Sequence, residues 1–190
     1  PEVQSGSIKV NITGADFDIH AGDTDLADVT TNIKGIKSEL DDGINPRITY
    51  SQRIQHKGWD ETQNFDVGLN STVPWDIELN TGSCGGSLNF EDFPLNSCII
   101  NTGACNLDIV AGNKQKDARI AINGAAVSLK IDLPEDVGLK INSSSAATKV
   151  NGNVILFKEN GAYQSDHYTT APNKLYLDIT SAASDIKVNR

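Results

Sequence analysis

The chain alternates from its first apolar residues: Ile8, Val10 and Ile12 are separated by Lys9, Asn11 and Thr13. That is the two-residue period of a strand with one buried face. Alternation returns at 48–54 and 65–69, and a less regular strand is read at 25–33. Short strands follow at 87–90, 98–102, 107–110, 119–122, 127–133, 139–142, 147–150, 154–157, 174–180 and 184–188. Helical spacing of apolar residues is absent. The cluster Asp41-Asp42-Gly43-Ile44-Asn45-Pro46 reads as a loop, Pro134 closes the strand before it, and Asn160-Gly161 predicts a tight turn. Between Gln55 and Asn64 the alternation lapses into a polar stretch holding His56 and Trp59, read as an excursion between strands.

A short phrase recurs within this pattern. Leu79-Asn80-Thr81-Gly82-Ser83-Cys84 returns as Ile100-Asn101-Thr102-Gly103-Ala104-Cys105, and more weakly as Ala121-Ile122-Asn123-Gly124-Ala125-Ala126, which places Gly82, Gly103 and Gly124 at intervals of 21 residues. A fixed period of this size, with a glycine at each bend, predicts stacked β-rungs, each burying its apolar face only against its neighbours. The segment from Thr13 to Gly22 matches Thr102 to Gly112 with one gap, and Ser184-Asp185-Ile186-Lys187-Val188 echoes the stretch around Ser7-Ile8-Lys9-Val10. The fold class is therefore all-β: a single-domain stacked β-rung, or β-solenoid, architecture over residues 1–190 with repeats of about 21 residues.

Composition agrees. Aromatics make up 6% of the 190 residues and there is no Met; Ile, Val, Leu and Ala carry the apolar content, and Asn, Thr, Ser, Gly and Asp supply turns. A chain of this length buries roughly 70% of its unfolded surface and needs no staples. The net charge of −9 comes with basic residues scattered singly, which excludes a phosphate-tracking stripe and makes nucleic acid an unexpected partner. No run long enough to cross a membrane as a helix is present, and Pro1 opens without the regions of a secretory signal.

The phrases Trp75-Asp76-Ile77-Glu78-Leu79-Asn80-Thr81-Gly82, Gly103-Ala104 before Leu107-Asp108-Ile109, and Val127-Ser128-Leu129-Lys130-Ile131-Asp132-Leu133-Pro134 with Gly138-Leu139-Lys140-Ile141 resemble the LiaF-like C-terminal domain. This belongs to the broader toastrack group, which includes adhesin-like bacterial domains. The resemblance covers roughly Ile8 to Val188. It implies a toastrack-like β-domain that is the soluble part of a bacterial cell-envelope protein, tethered to the membrane by a segment absent from this chain. It further implies a non-enzymatic role in which a protein partner, a membrane histidine kinase responding to cell-wall-active antibiotics and envelope stress, is restrained. Adhesin-like relatives imply the alternative, an extracellular adhesin-like or glycan-binding module. No catalytic residue, metal or cofactor comes with either.

Read residue by residue, the candidate chemistry is sparse. Cys84 and Cys105 occupy equivalent places in adjacent repeats, so stacking puts them about 4.8 Å apart along the stack. Small buried thiols are the preferred reading, with a disulfide compatible with the spacing; Cys98 is a third core residue, and no pair has zinc-site spacing. Asp16, Asp18 and His20 share one strand face, with Asp23 and Asp25 nearby: a solvated face, or an oxygen-rich site for calcium that lacks the glycines of the calcium-binding repeats. His20, His56 and His167 lie far apart, and no nucleophile elbow, phosphate loop or dinucleotide glycine pattern accompanies them. Trp59, beside His56, is either a cap over the open end of the stack or a partner or sugar contact, and the two form the candidate partner-binding residues. Trp75 is expected to pack at a rung start. Open sheet edges would allow a homo-oligomer.

Overall fold

The computed structural model describes residues 2–23, 26–52 and 62–190. Fourteen strands form one sheet, and no helix occurs among the described residues. In chain order they are β1 (Gly6–Gly22), β2 (Ala27–Thr31), β3 (Ile36–Asp41), β4 (Arg47–Gln52), β5 (Asn64–Asn70), β6 (Trp75–Asn89) and β7 (Leu95–Asn101). They continue as β8 (Ala104–Val110), β9 (Asp117–Asn123), β10 (Ala126–Asp132), β11 (Val137–Gly152), β12 (Leu156–Glu159), β13 (Ala162–Ser165) and β14 (Asn173–Asn189).

Four of these are long strands, β1, β6, β11 and β14, and each contributes to two parallel ladders. The first ladder runs β4, β1, β6, β7, β9, β14, β11 through the early halves of the long strands. The second runs β5, β1, β6, β8, β10, β14, β11 through their later halves. The chain is thus a stack of seven rungs, each with one segment in either ladder. Alternation aims every second side chain inward. One inward row of the first ladder is Ile48, Ile8, Ile77, Cys98, Ile120, Leu177 and Ile141; its counterpart in the second is Val67, Ile19, Leu88, Ile109, Ile131 and Val188. All of these are buried, and all but Ile48, on the end rung, belong to one continuous apolar core. Each such aliphatic side chain contributes about 1.5–3 kcal/mol on leaving water, and β-branched residues suit the pleated surface they line.

Glycine turns the corner between the ladders because the neighbouring rung leaves no room for a side chain. A Cβ on Gly103 would lie 2.6 Å from the Gly82 carbonyl oxygen, and one on Gly82 would lie 2.7 Å from that of Thr13. The Gly103 N–H instead donates to the Gly82 carbonyl at 2.9 Å.

The 21-residue spacing is local. Cys84 pairs with Cys105 at that interval, but Ala104 pairs with Ala126 at 22, and the flanking rungs come from remote parts of the chain. Lys9 pairs with Glu78, and Leu177 with Ile120. Both terminal strands are threaded into the interior of the stack: β1 lies between the β4/β5 rung and β6, and β14 between the β9/β10 rung and β11. The end rungs carry antiparallel strands, β3 and β2 at one end and β13 with β12 at the other.

Several expectations shift in detail. The pairs read at 139–142 with 147–150, and at 174–180 with 184–188, are each one long strand. β3, β13 and the early half of β6 were not read from the sequence as strands. The match between 13–22 and 102–112 holds in its strand half, where Phe17, Asp18 and Ile19 share rows with Leu107, Asp108 and Ile109; at the corner it is displaced by one residue, since Gly14 shares a row with Ala104. The terminal echo joins unlike places, with Ile8 in the first ladder and Ile186 in the second. The Asn160-Gly161 turn forms as expected, both residues at positive φ between paired Glu159 and Ala162.

Candidate functional site

The outer face of the second ladder carries an uneven distribution of charge. One outward row reads Asp66, Asp18, Ser87, Asp108, Lys130 and Lys187, from β5 across to β14. The adjacent row reads Asn64, Asp16, Gly85, Asn106, Ser128, Asp185 and Lys149. Carboxylates therefore gather toward the β5 end and ammonium groups toward β10, β14 and β11, where two of them are paired with carboxylates: Lys130 meets Asp132 at 3.0 Å and Lys149 meets Asp185 at 3.5 Å.

Between β1 and β8 this face has a notch of about 510 Å³, lined by Asp16, Asp18, Asp66 and Asp108 with Asn64 and Asn106 among its other walls. Two glycines make it. Asp16 leans across Gly85, so that a Cβ there would sit 2.5 Å from Asp16 Oδ1, and Gly86 adopts a φ of 106° that brings its backbone against that of Phe17. Four exposed or half-buried carboxylates around a side-chain-free floor offer acceptors and a negative field to cationic or hydroxyl-rich groups. Among the described residues, no group of three or more His, Cys, Asp or Glu is placed to hold a metal ion.

His20 stands at the edge of the same face. Its Nδ1 lies 2.8 Å from the Ala21 carbonyl oxygen and its Nε2 3.2 Å from Asp66 Oδ1. Both ring nitrogens face acceptors, an arrangement that suits the imidazolium. The Ala21 carbonyl, with Asp66 and then Asp18, holds the His20 pKa above its ordinary value against the opposing effect of burial.

The outer face of the first ladder is occupied by side-chain pairs between rungs. Lys9 Nζ lies 2.8 Å from Glu78 Oε1, and Arg119 2.7 Å from Asp178. Lys9 and then Asn80, both donating to it, hold the Glu78 carboxyl below its usual range. Beside them runs a row the sequence reading missed: Ser51, Asn11, Asn80, Asn101, Asn123, Thr180 and Ser144. Each of its four asparagine amides donates to the preceding member, at 3.4, 2.9, 2.8 and 2.9 Å. The signal was the Asn preceding each corner glycine in the repeated phrase.

The cysteines are free and buried. Cys84 and Cys105 are register partners, as the stacking expectation requires, in an inward row with Ala15, Val127 and Ser184. Cys98 lies in the first ladder, and complete burial pushes its thiol up to about 12. Trp75 opens β6 fully buried, its ring against Gly6, its Nε1 donating to the Asn70 carbonyl at 2.9 Å. Asp16, Asp18 and His20 do share one outward face; Asp23 lies just beyond β1. Trp59, His56 and Asp25 lie outside the described residues. His20 and His167 stand in different parts of the stack, the latter between Asp166 and the Val137 carbonyl.

This architecture defines a class: a stack of parallel strands with a polar, laddered exterior. Within it, the chain belongs to the toast-rack family. Residues 2–132 match the family model described as the N-terminal domain of toast_rack, DUF2154. A solved structure described as a "putative cell adhesion protein" from Clostridium sporogenes ATCC 15579 superposes with a TM-score of 0.82 at 18% identity, covering 98% of this chain and 93% of that one. The two share a fold. A second, described as a "putative adhesin" from Bacteroides fragilis NCTC 9343, reaches a TM-score of 0.36 at 8% identity over the same shares and bears no weight. No curated protein matches the sequence. No helix among the described residues is long and apolar enough to cross a membrane.

Proposed function

We propose that this chain is a non-enzymatic binding domain of the bacterial cell envelope, held at the membrane by a segment outside it. It acts through the outer faces of its stack on a protein partner, a membrane sensor kinase that responds to cell-wall-active antibiotics. The observation that carries the binding role is the charge-graded outer face of the second ladder, which runs from β5 to β14 and β11 in a chain whose residues 2–132 match the family model. Rigid parallel ladders hold side chains at fixed intervals, which suits recognition of a folded partner with little ordering cost. Opposed charges along one face fix the orientation of that partner more than they add to affinity.

A second reading is an extracellular adhesin-like module, favoured by the shared fold with the clostridial structure across nearly the whole chain. In-cell cross-linking of the full-length product, purification from its native membrane and identification of captured proteins by mass spectrometry separate the two. The regulatory reading expects a histidine kinase, lost when Asp18 and Asp108 are both changed to Lys. Capture of cell-wall glycan or a surface protein without a kinase overturns it and favours the adhesin.

A further inference from the structure

Cys84 and Cys105 are both buried, at 7% and 6% exposure, and they are not isolated from each other. They are direct register partners on parallel β6 and β8, and Cys84 Sγ lies 3.8 Å from Thr102 Oγ1. Cys105 lines an open groove of about 690 Å³ at the corner between the ladders. Its lining includes a row of small side chains, Ala104, Ala126, Ala183 and Ala147, at the outward positions beside the inward row that holds Cys105. Cys84, one rung further along the stack, does not line the groove. The third thiol, Cys98, is fully buried elsewhere in the core.

We propose that Cys84 and Cys105 form a reversible dithiol site, oxidised by a small disulfide that enters the alanine-lined groove, with Cys105 as the attacking sulfur and Cys84 as the resolving one. The Cys105 thiolate attacks one sulfur of the incoming disulfide. A Cys105–sulfur bond forms, and the first thiolate leaves with the electron pair of the broken bond. Cys84 then gives its proton to the first released thiolate and attacks Cys105 Sγ, expelling the second thiolate. Both leaving groups take up protons, so two protein thiols are oxidised and one disulfide is reduced to two thiols.

The division of roles follows from the surroundings. Cys105 lines the groove and Cys84 does not, so a disulfide entering there meets Cys105 first. Parallel strands lie about 4.8 Å apart, within the Cα range of a disulfide, yet relaxed disulfides hold their Cβ atoms near 3.8 Å. Closure therefore needs the two Cβ atoms to tilt toward each other, and exchange with an excess of small thiol reopens the link. The movement would reach the acidic notch, because the residues following the cysteines, Gly85 and Asn106, flank its floor and wall.

The test treats the native protein with hydroxyethyl disulfide, then alkylates and maps the peptides. Two of the three thiols should be lost together, with a Cys84–Cys105 link two hydrogens lighter and Cys98 still alkylable after unfolding. In Cys84→Ala the reaction should stop at a mixed disulfide on Cys105; in Cys105→Ala, Cys84 should react at least tenfold more slowly. Reaction of the native protein without the Cys84–Cys105 link, or no reaction before unfolding, overturns the site. Equal rates in the two variants overturn the assigned roles. Ala15 already occupies the same inward row as Cys84 and Cys105, so the alanine variants introduce a side chain the row accepts. If either fails to fold, the native peptide map still decides.

Discussion

Asn80 Nδ2 donates to Asn11 Oδ1 at 2.9 Å across 69 residues of chain. This bond joins the threaded N-terminal strand to the repeated centre, and the amides of Asn101 and Asn123 extend it in the same sense. Aligned donors polarise one another, so the ladder acts as a unit.

Asn101 occupies the middle of that ladder, giving one hydrogen bond and receiving another. Asn101→Ala should lower stability by about 1–3 kcal/mol, from two bonds of about 0.5–1.5 kcal/mol each. Asn101→Asp should cost more at neutral pH, where a carboxylate faces the Asn80 oxygen with no proton to donate, and recover in acid once the carboxyl is protonated. Urea unfolding of both variants at pH 7 and pH 4 checks this; equal losses at the two pH values for Asn101→Asp would show that the ladder bond does not matter.

What could be read beforehand divides along physical lines. Period-two alternation exposed the strands because one face of each is buried, and glycine spacing exposed the corners because backbone fills the Cβ position there. Pairing between β1 and β6, or β14 and β9, left no such mark: the partners lie far apart in sequence, and their inward rows of Ile, Val and Leu would stack equally well in another order. β3 was obscured by Lys37, Ser38 and Glu39 in a strand exposed on both faces. The acidic notch depends on four rungs meeting, so Asp16 and Asp18 were legible as a face while Asp66 and Asp108 were not legible as their neighbours.

Gly86 should be the least replaceable residue of the notch. At a φ of 106°, a Cβ would lie 2.0 Å from the Phe17 carbonyl oxygen. Gly86→Ala therefore combines backbone strain with a backbone clash and should cost on the order of 3 kcal/mol or more. Gly161→Ala provides the comparison: its φ of 84° carries the strain, but nothing lies within 4 Å, so the loss should be about 1 kcal/mol. Thermal unfolding of the pair measures the difference, and similar losses would contradict the clash.

Trp75→Phe should destabilise the start of β6 by about 2–3 kcal/mol, combining a lost indole hydrogen bond to the Asn70 carbonyl with unfilled volume against Gly6. Gly6→Ala in the native background should also destabilise, because its Cβ would meet the indole ring at 2.6 Å. The double variant should lose less than the sum, since a smaller ring makes room for the methyl. Denaturant midpoints of the three variants test that coupling; strict additivity would mean the two residues do not share the space.

His20 links the acidic face to pH. A histidine whose folded pKa is raised above its unfolded value of about 6.5 contributes stability that is fully present below that value. The contribution is lost as pH rises through the folded pKa. Its side chain is 41% exposed, so the effect is expected to be modest and reduced by salt. Stability of the native protein relative to His20→Gln should therefore be greater at pH 5.5 than at pH 8.5. Asp66→Asn should return the His20 pKa only part of the way, because the Ala21 carbonyl is the larger cause and remains in place. Following the His20 ring protons by NMR across this range checks both statements; a midpoint at or below the ordinary histidine value would show that the ring does not bridge Ala21 and Asp66 in solution.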